Sequence, residues 1–491
     1  MLISLVNLGC KVNQYELQAI KTSLAAKGHT VSENLMHADV YILNTCAVTG
    51  EAERKSRQFV TKALKCNPNA KIAAIGCAAE LHAAQFIEKG AHYTGGSFGK
   101  STVSDIIDGL YNDENDNVNC AKNGGVKQLE SMPISNAKNG GTALRKGSGK
   151  SENGNADFEE NGGIEPRKTT HIINAEGGRI AENKSNDKKD KNEYEKMNFA
   201  STDRSRQFIK IQDGCNNFCS YCIIPYLRGS SRSRPENDII EEIERVSLKE
   251  IVLIGINLSA YGADTGTSTA RLVRRIASVR GDLRIRLGSI EANLVDEEFL
   301  SALAAAEKFC PHFHLSLQSG DDGVLKAMNR RYNTEFFKSR VGLIGKYFPD
   351  AAITTDIIVG YPTEDGKAFE NTLKFVENIG FSDIHIFPYS ARTGTRAAQI
   401  KCAVPPGEIN DRARRLTELK RVLKERYIDA FVNKPLNVLI ENARGGEVSG
   451  YSENYIRVYA DAKCGARIGG ICRVTMTARY KDGAKGIVEN V

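Results

Sequence analysis

The stretch FIKIQDGCNNFCSYC, residues 208–222, joins an apolar strand pattern to a loop with three cysteines. Cys215, Cys219 and Cys222 lie within eight residues of one another, and thiolates are soft ligands suited to zinc and to iron–sulfur clusters. A zinc site would need a fourth ligand, yet the nearest downstream histidine is His312 and no further CxxC pair follows. Ferredoxin patterns supply four cysteines per cluster. Three cysteines therefore predict a cluster with one iron open to another ligand.

The same strand pattern recurs downstream and predicts the surrounding domain. Six apolar, β-branched runs separated by helical segments occupy about residues 204–430: FIKIQDG, EIVLIGINL, RIRLGSIE, FHLSLQSG, AITTDIIVG and DIHIFPYS. Six such units predict an open or partial βα (TIM-like) barrel, whose chemistry lies at the carboxyl ends of the strands. The cysteine loop follows the first of these strands. Glu291 and Gln318 end later strands and are predicted contacts to a cofactor or substrate.

Residues 1–111 predict a separate α/β domain. LISLVN (2–7), DVYILN (39–44) and KIAAIG (71–76) are strand patterns, and helical patterns lie between them. Strands separated by helices of this length indicate a parallel sheet with helices on both faces.

A second group of cysteines follows these strands. Cys10, Cys46 and Cys77 each come directly after a predicted strand, whereas Cys66 falls in a helical segment and is left out of the group. The carboxyl ends of parallel strands share one edge of a sheet, so the three thiols are predicted to converge there. The alternative is that each is a separate buried structural thiol.

Two further segments differ in composition. Residues 112–203 are rich in Gly, Asn, Lys and Glu with few large apolar residues, and we expect a low-complexity, flexible insertion; an RNA-tethering arm is the alternative. Residues 431–491 contain short alternating strands broken by GG and DG turns, as in a small OB-like β-barrel.

Composition limits the class of protein. The 491 residues are 41% hydrophobic, which predicts two to four domains, and the net charge of +7 fits a nucleic-acid partner without establishing one. Twelve cysteines in an intracellular protein favour metal or catalytic use over disulfides. The sequence has no apolar run near the roughly 20 residues that a membrane helix needs, and MLISLVNLGC is interpreted as a first strand rather than a signal peptide. A cytoplasmic location is expected.

The CxxxCxxC spacing resembles the signature of the radical S-adenosylmethionine (SAM) superfamily. That resemblance implies a [4Fe-4S] cluster whose open iron is chelated by SAM, which is cleaved by one electron to a deoxyadenosyl radical. Tyr221, inside the last gap of the motif, is predicted to lie at the cofactor. Gly360, in the segment VGYP, is predicted to permit close approach of the cofactor's adenine; an ordinary turn explains it equally well.

Longer motifs resemble one family within that superfamily, the methylthiotransferases. They are LGCKVNQYE (8–16), ADVYILNTCAVT (38–49), AAIGCAAE (73–80), HLSLQSGDDGVLKAMNRRY (314–332), DIIVGYPTE (356–364) and FPYSARTGTRAA (387–398). The resemblance covers about residues 1–100 and 205–491. It implies that Cys10, Cys46 and Cys77 hold a second [4Fe-4S] cluster that supplies sulfur, and that a second SAM supplies a methyl group. It further implies that residues 431–491 form a TRAM RNA-binding domain.

The resemblance also bears on substrate and partners. LGCKVNQYE and PYSARTGTRAA look like the subgroup that methylthiolates carbon 2 of N6-threonylcarbamoyladenosine at position 37 of tRNA. Isopentenyladenosine in tRNA and a ribosomal-protein aspartate are the alternatives within the family. A non-enzymatic iron–sulfur RNA-binding sensor is the alternative outside it. The implied partners are tRNA and a reductant protein such as flavodoxin or ferredoxin.

Several basic, aromatic and histidine side chains receive weaker predictions. Arg228, Arg232 and Arg234 form a run that meets either the SAM carboxylate or tRNA phosphates, or is a plain exposed run. His312 and His314 are expected to make strand-end hydrogen bonds rather than bind a metal. Candidate RNA contacts in the C-terminal segment, each with a surface charge or half-buried strand aromatic as its alternative, are Arg457, Arg473, Arg479, Lys481, Tyr451, Tyr455 and Tyr459.

Overall fold

The structure is a computed structural model that describes residues 1–120, 171–173, 179–182, 193–200, 202, 204–401, 404–462 and 465–489. The chain divides into two compact units, Met1–Ser104 with Pro166–Val491, and Asp105–Glu165. Of the second unit, residues 105–120 are described and are helical. Most of the predicted insertion at 112–203 lies outside the described residues. No helix in the described part of the chain is long and apolar enough to cross a bilayer.

The N-terminal sheet has five parallel strands in the order β2-β1-β3-β4-β5. They are β1 (Leu2–Asn7), β2 (Thr30–Ser32), β3 (Val40–Thr45), β4 (Lys71–Gly76) and β5 (Tyr93–Gly95). Two short strands, β6 (His171–Ile173) and β7 (Arg179–Glu182), continue the sheet beyond β5 in antiparallel pairing. The helices of this region are α1 (Lys11–Ala26), α2 (Gly50–Cys66), α3 (Cys77–Leu81), α4 (Ala83–Glu88) and α5 (Val103–Cys120). Strands β3 and β4 are almost wholly buried, as their continuous apolar runs predict.

The central domain has two four-stranded sheets, ordered β11-β10-β8-β9 and β12-β13-β14-β15. The strands are β8 (Gln207–Asp213), β9 (Arg232–Ser233), β10 (Glu250–Gly255), β11 (Arg284–Leu287), β12 (Ser289–Ile290), β13 (His312–Gln318), β14 (Ala352–Val359) and β15 (Asp383–Pro388). All pairings are parallel except β8 with β9. Two backbone contacts lie where the two sheets meet. One is a parallel bridge between Ile285 and Phe309, and the other is the hydrogen bond from Gly288 N to Leu253 O at 2.8 Å. The predicted parallel α/β architecture is confirmed.

Helices cover one face of these strands. They are α6 (Ile224–Arg228), α7 (Glu236–Glu244), α8 (Thr269–Val279), α9 (Glu297–Ala304), α10 (Asp322–Ala327), α11 (Thr334–Tyr347), α12 (Gly366–Ile379) and α13 (Pro406–Asp429). Alternate strand residues such as Ile209, Leu253 and Phe313 pack with the helices in one apolar core. The residues between them, among them Glu250 and His314, face the opposite side, which is strongly polar.

The C-terminal strands form a closed five-stranded barrel in the order β16-β17-β18-β20-β19, with β19 pairing back to β16. They are β16 (Pro435–Arg444), β17 (Glu447–Ser452), β18 (Arg457–Asp461), β19 (Ile471–Tyr480) and β20 (Gly483–Val488). Every pairing is antiparallel except β18 with β20. Its interior is filled by side chains including Val438, Val458 and Met476, so the barrel has its own apolar core.

Candidate active site

The first cysteine triad occupies the loop between β8 and α6. Gly214 begins this loop with φ +73°, and a Cβ there would collide with the carbonyl oxygen of Ser230, so the tight return of the chain requires glycine. Cys219 is buried, and Cys215 and Cys222 are partly buried. Burial is the main cause that raises the pKa of Cys222 to about 12, and the neighbouring thiols of Cys219 and Cys215 act in the same direction. Burial likewise raises the pKa of Cys215, and a bound metal offsets this cost because it stabilises thiolates.

Hydrogen-bond donors surround the sulfurs of this triad. Arg330 Nη1 donates to Cys219 Sγ at 3.3 Å, and Asn257 Nδ2 lies 3.8 Å from Cys215 Sγ. Arg330 is almost fully buried, and its Nη2 lies 3.0 Å from Glu291 Oε1. Glu291 also accepts a bond of 2.8 Å from Asn217 Nδ2. Glu291 therefore lies beside the first triad, and its contact with a cofactor or substrate remains a prediction.

Sequence reasoning did not single out Arg330 or Asn257. Arg330 lies in the stretch MNRRY, where nothing separates it from the adjacent Arg331. Asn257 follows two residues after β10 and was open to the same strand-end argument as Glu291. The strand-end rule could have found Asn257, whereas Arg330 follows a helix rather than a strand and gave no such signal.

The other predicted cofactor residues lie in different surroundings. Tyr221 is partly buried and packs against the apolar cluster that includes Met328 and Tyr361. Burial raises the pKa of the Tyr221 phenol well above its ordinary value, and Cys219 also acts to raise it. Gln318 is buried at the end of β13 with φ +75°. Both lie at the carboxyl side of the barrel strands, and their contact with a cofactor remains a prediction.

Gly360 has a structural requirement of its own. Its φ is +76°, and an added Cβ would lie 2.8 Å from Cδ1 of Ile409 on α13, with Cγ1 of Ile409 closer still. The amide of Gly360 donates to Glu364 Oε1 at 2.8 Å, which closes the turn after β14. The turn and the packing of α13 thus account for glycine here, and contact with the adenine remains a prediction.

The second triad lies at one edge of the N-terminal sheet. Cys10 directly precedes α1, Cys46 directly follows β3, and Cys77 begins α3 directly after β4. Burial is the main cause that raises the pKa of Cys46 to about 12, and both Cys10 and Cys77 are close enough to act in the same direction. Cys66 is the last residue of α2. Soft sulfur donors from three adjacent strand ends fit an iron–sulfur cluster.

The prediction for the arginine run after the first triad was wrong. Arg228, Arg232 and Arg234 are at most 4% exposed, so they form neither an exposed run nor a free anion-binding group. Arg228 ends α6, Arg232 lies on β9 and Arg234 follows it, and all three side chains point inward to carboxylates and carbonyl oxygens. Arg232 donates to Ser230 O at 2.7 Å and to Arg228 O at 3.0 Å, and Arg234 pairs with Glu242.

Arg228 joins the two cysteine regions. Its Nη1 lies 2.9 Å from Glu16 Oε1 on α1 and 3.0 Å from Asp213 Oδ1 on β8. Its Nη2 donates to Asn13 Oδ1 at 3.0 Å, the oxygen that accepts from Cys10 Sγ at 3.3 Å. A continuous set of buried polar contacts therefore runs from the barrel to the second triad.

The charges of this buried network favour anions near the second triad. Two carboxylates, Glu16 and Asp213, are surrounded by three cations, Arg228, Lys100 and Lys210. Burial alone would raise the pKa of Glu16, but these cations outweigh it and hold that pKa well below its ordinary value. Burial raises the pKa of the Cys77 thiol, while Arg228 and Lys100 act to lower it. The excess positive charge would stabilise thiolates.

A cavity of about 540 Å³ lies next to the second triad, within the size range of ligand pockets. Cys10 and Lys11 line it from the N-terminal region, and strand residues of the central domain line its wall. Residues of the C-terminal barrel complete it. The lining residues with polar or aromatic side chains include Ser289, His312, His314, Thr354, Asp356, Asp383, His385, Lys424, Tyr451, Tyr455, Arg457 and Asp482.

The histidines of the cavity make strand hydrogen bonds, as predicted. Thr354 Oγ1 lies 3.0 Å from His312 Nε2 and 2.9 Å from His314 Nδ1. Asp356 lies between His314 Nε2 and His385 Nδ1, with both distances at 3.1 Å. His314, Asp356 and His385 are also close enough together to share a metal ion, and their mutual hydrogen bonds explain the arrangement without one.

The aromatic candidates for RNA contact have partners within the protein. Tyr455 stacks on His312 with ring centroids 4.2 Å apart, and Tyr451 stacks on Tyr455 at 4.6 Å. The Tyr459 hydroxyl binds Asp482. Tyr455 therefore helps to hold the C-terminal barrel against the central domain, and Tyr451 and Tyr455 line the cavity, whereas Tyr459 is bound within the barrel.

The basic candidates are likewise paired. Each of the four has an acidic partner: Arg457 with Asp482, Arg473 with Glu489, Arg479 with Glu425 and Asp429, and Lys481 with Glu447. Such pairs on a surface are weak, so they do not prevent these cations from meeting phosphates, but they provide no evidence for it.

Comparison with known proteins places the chain in a family. Residues 209–376 match the model of the Radical SAM superfamily, and residues 3–95 match the model described as "Uncharacterized protein family UPF0004". A threonylcarbamoyladenosine tRNA methylthiotransferase MtaB of Bacillus subtilis (strain 168) is 32% identical over 463 residues, 92% of this chain and 88% of that relative. A tRNA-2-methylthio-N(6)-dimethylallyladenosine synthase of Clostridium botulinum (strain Hall) is 31% identical over 444 residues, 88% of this chain and 84% of that relative.

A solved structure similar to the chain is the radical S-adenosylmethionine methyltransferase TsrM from Kitasatospora setae, with a TM-score of 0.49 and 13% identity. The alignment covers 81% of this chain and 77% of that one. The two domain matches and the full-length similarity to the relatives agree with the two cysteine triads. The chain belongs to the radical SAM tRNA methylthiotransferase family.

Proposed function

We propose that the chain methylthiolates carbon 2 of N6-threonylcarbamoyladenosine at position 37, in the anticodon loop of tRNA. The observation that carries this proposal is the similarity over nine-tenths of the chain to relatives named for that substrate, at 32% and 33% identity. The relative named for dimethylallyladenosine is almost as similar, at 31%. Analysis of the modified nucleoside distinguishes the two substrates.

In this proposal each cysteine triad holds one [4Fe-4S] cluster. Cys215, Cys219 and Cys222 would hold the cluster that leaves an iron for SAM, and Cys10, Cys46 and Cys77 would hold the cluster that carries sulfur. When bound, the clusters and SAM supply hydrogen abstraction, sulfur insertion and methyl transfer, which side chains do not offer.

The protein's own residues would bind and orient the clusters and the substrate base. Arg330 and Asn257 direct hydrogen-bond donors at the sulfurs of the first triad, and Glu291 fixes the guanidinium of Arg330. Such contacts set the orientation and potential of a cluster. The cavity beside Cys10, with a volume of about 540 Å³, is large enough for a splayed-out base. The adenine would enter between the second triad and the polar strands of the central domain.

The C-terminal barrel is proposed to be a TRAM-type, OB-like RNA-binding domain. Its five strands and its closed order support that assignment. We further propose a reductant protein such as flavodoxin or ferredoxin as the electron source, because one-electron cleavage of SAM needs a donor. A cytoplasmic location follows from the tRNA substrate.

The test uses anaerobically reconstituted protein and tRNA that carries unmodified threonylcarbamoyladenosine. About eight irons per chain are expected from two [4Fe-4S] clusters. Replacing the three cysteines of either triad with alanine should remove about half of the iron. Cys66→Ala is the matched control, a cysteine of the same sheet domain outside both triads, and should retain all of it.

Nucleoside mass spectrometry then reports the product. The wild type should convert the threonylcarbamoyladenosine to its 2-methylthio derivative, and both triple variants should not. Product from isopentenyladenosine-containing tRNA alone would transfer the chain to the other tRNA subgroup. Tight tRNA binding without SAM cleavage would instead support the non-enzymatic sensor.

A further inference from the structure

Lys11 is a cation in the cavity without an anionic partner. Lys11 directly follows Cys10 of the second triad, is exposed, and lines the cavity of about 540 Å³. No carboxylate lies within ion-pair distance of Lys11 in the part of the chain that the structure describes. An ammonium group in a cavity, with no protein anion beside it, is a binding position for an anion of the substrate.

The other charged groups that line the cavity are already paired. Each has a partner at about hydrogen-bond distance: Lys424 Nζ with Asp383 Oδ2 at 2.9 Å, Arg457 Nη1 with Asp482 Oδ2 at 3.1 Å, and His314 and His385 with Asp356 at 3.1 Å. Asp356 is the acid that faces Lys11, but each of its two oxygens contacts an imidazole nitrogen. The charge of Lys11 therefore remains available.

The two tRNA substrates of the family differ in the charge of the substituent on N6 of the adenine. The threonylcarbamoyl group ends in a carboxylate, whereas the isopentenyl group is neutral and apolar. Both substituents are attached to N6 of the adenine, next to ring atom N1. Atom N1 is in turn bonded to carbon 2, which receives the sulfur. If carbon 2 of the base faces the second triad, the N6 substituent comes close to Lys11, the residue that follows Cys10.

We propose that Lys11 binds the carboxylate of the threonylcarbamoyl group and makes the site specific for that nucleoside. This inference rests on the proposed function and adds the residue that selects the substrate. A charge-assisted bond to the ammonium group favours the acidic substituent. A neutral apolar substituent makes no such bond and displaces water from the ammonium group, which disfavours it. Lys11 is a specificity residue of the binding site, separate from the cysteine ligands.

The first experiment needs no variant. Reconstituted wild-type holoenzyme is given tRNA with threonylcarbamoyladenosine, and the same tRNA after methyl esterification of the threonyl carboxylate, which removes the charge. We expect kcat/KM for methylthiolation to fall by about 10- to 100-fold on the ester, as for loss of one charged hydrogen bond. Equal kcat/KM on both tRNAs overturns the inference.

The second experiment assigns the effect to the side chain. Lys11→Met should lower kcat/KM on the free acid by about the same 10- to 100-fold. It should have almost no effect on the ester, because the ester has already lost the interaction. Lys11→Arg keeps the charge and should restore most of the activity. Lys55→Met is the matched control, an exposed lysine on α2 paired with Glu51, and should behave as the wild type.

Two further outcomes separate the possible failures. If Lys11→Met lowers activity equally on the free acid and on the ester, the lysine serves the structure or the cluster, and the inference is overturned. If the wild type does not methylthiolate threonylcarbamoyladenosine at all, the proposed function fails and the inference falls with it. A wild type that discriminates the ester, with Lys11→Met that does not, supports both.

Discussion

Glu250 is expected to make the stability of the protein depend on pH. The carboxylate lies on β10, is fully buried, and is surrounded by Arg206, Arg284 and Arg286 at 3.0–3.4 Å. Arg286 also donates to the carbonyl oxygens of Ser452 and Glu453 in the C-terminal barrel, both at 3.1 Å. Glu250 thus holds the arginines that bind that barrel to the central domain.

The magnitude follows from the pKa of this carboxyl group. Burial would raise the pKa of Glu250, but Arg286, Arg284 and Arg206 outweigh burial and lower it from 4.5 to about 2. A depressed pKa in the folded state stabilises the fold above the unfolded pKa, and the stabilisation is lost as pH falls toward 2. At roughly 1.4 kcal/mol per pH unit, the contribution is about 3 kcal/mol at pH 7. About 2 kcal/mol of it is lost by pH 3.

The perturbation is Glu250→Gln, which removes the titrating group with little change in shape. Urea unfolding of both proteins in the same cluster-free form is followed by far-ultraviolet circular dichroism from pH 7 to pH 3, since the chain has no tryptophan. The wild type should be more stable by about 3 kcal/mol at pH 7, and this advantage should shrink by about 2 kcal/mol at pH 3. Glu298→Gln, at an exposed pair with Arg274, should show no such change. An advantage that is the same at both pH values would refute the reasoning.

Three other substitutions test separate contacts. Arg228→Met leaves Glu16 and Asp213 buried with fewer cations and should lower the free energy of unfolding by about 3–5 kcal/mol, measured by urea titration against the milder Arg228→Lys. Arg330→Met removes the donor to Cys219 Sγ, so the midpoint potential of the cluster on that triad should become more negative by roughly 60–130 mV. A redox titration followed by electron paramagnetic resonance measures this potential. An unchanged potential would count against this hydrogen bond. Gly360→Ala should lower the free energy of unfolding by about 1–3 kcal/mol through contact with Ile409, and adding Ile409→Ala should restore part of this stability. If SAM affinity stays low in the stable double variant, the predicted adenine contact is supported.

Both cysteine triads could be predicted from the sequence because local rules place them. Cys215, Cys219 and Cys222 lie on one loop, so their proximity needs no knowledge of the rest of the fold. For the second triad, the rule that parallel strands end at a common edge predicts that the thiols converge, and β1, β3 and β4 are adjacent as the rule assumes. The rule left separate buried thiols open, and the cluster was implied by the resemblance to the methylthiotransferases.

The arginine run shows where this reasoning stops. Nothing near Arg228 in the sequence indicates that it will be buried, because one of its partners, Glu16, is 212 residues away. The same holds for Tyr455, whose ring stacks on His312 of another domain. Charge pairs and stacking contacts between domains depend on which surfaces meet, and periodicity within a strand or helix carries no information about that.

The contacts of Arg228 also bear on how the two triads are positioned. Between the two cysteine regions lies the segment 112–203, whose composition left their relative placement open. Arg228 is six residues beyond Cys222, and it binds Glu16 and Asn13 directly. Asn13 in turn accepts from Cys10 Sγ at 3.3 Å. Breaking one partner of such a buried set costs several kcal/mol, so the set resists displacement of one region against the other. These buried charges therefore help to fix the spacing of the two triads, together with contacts such as the bond from Gln18 Nε2 to Thr202 Oγ1 at 2.9 Å.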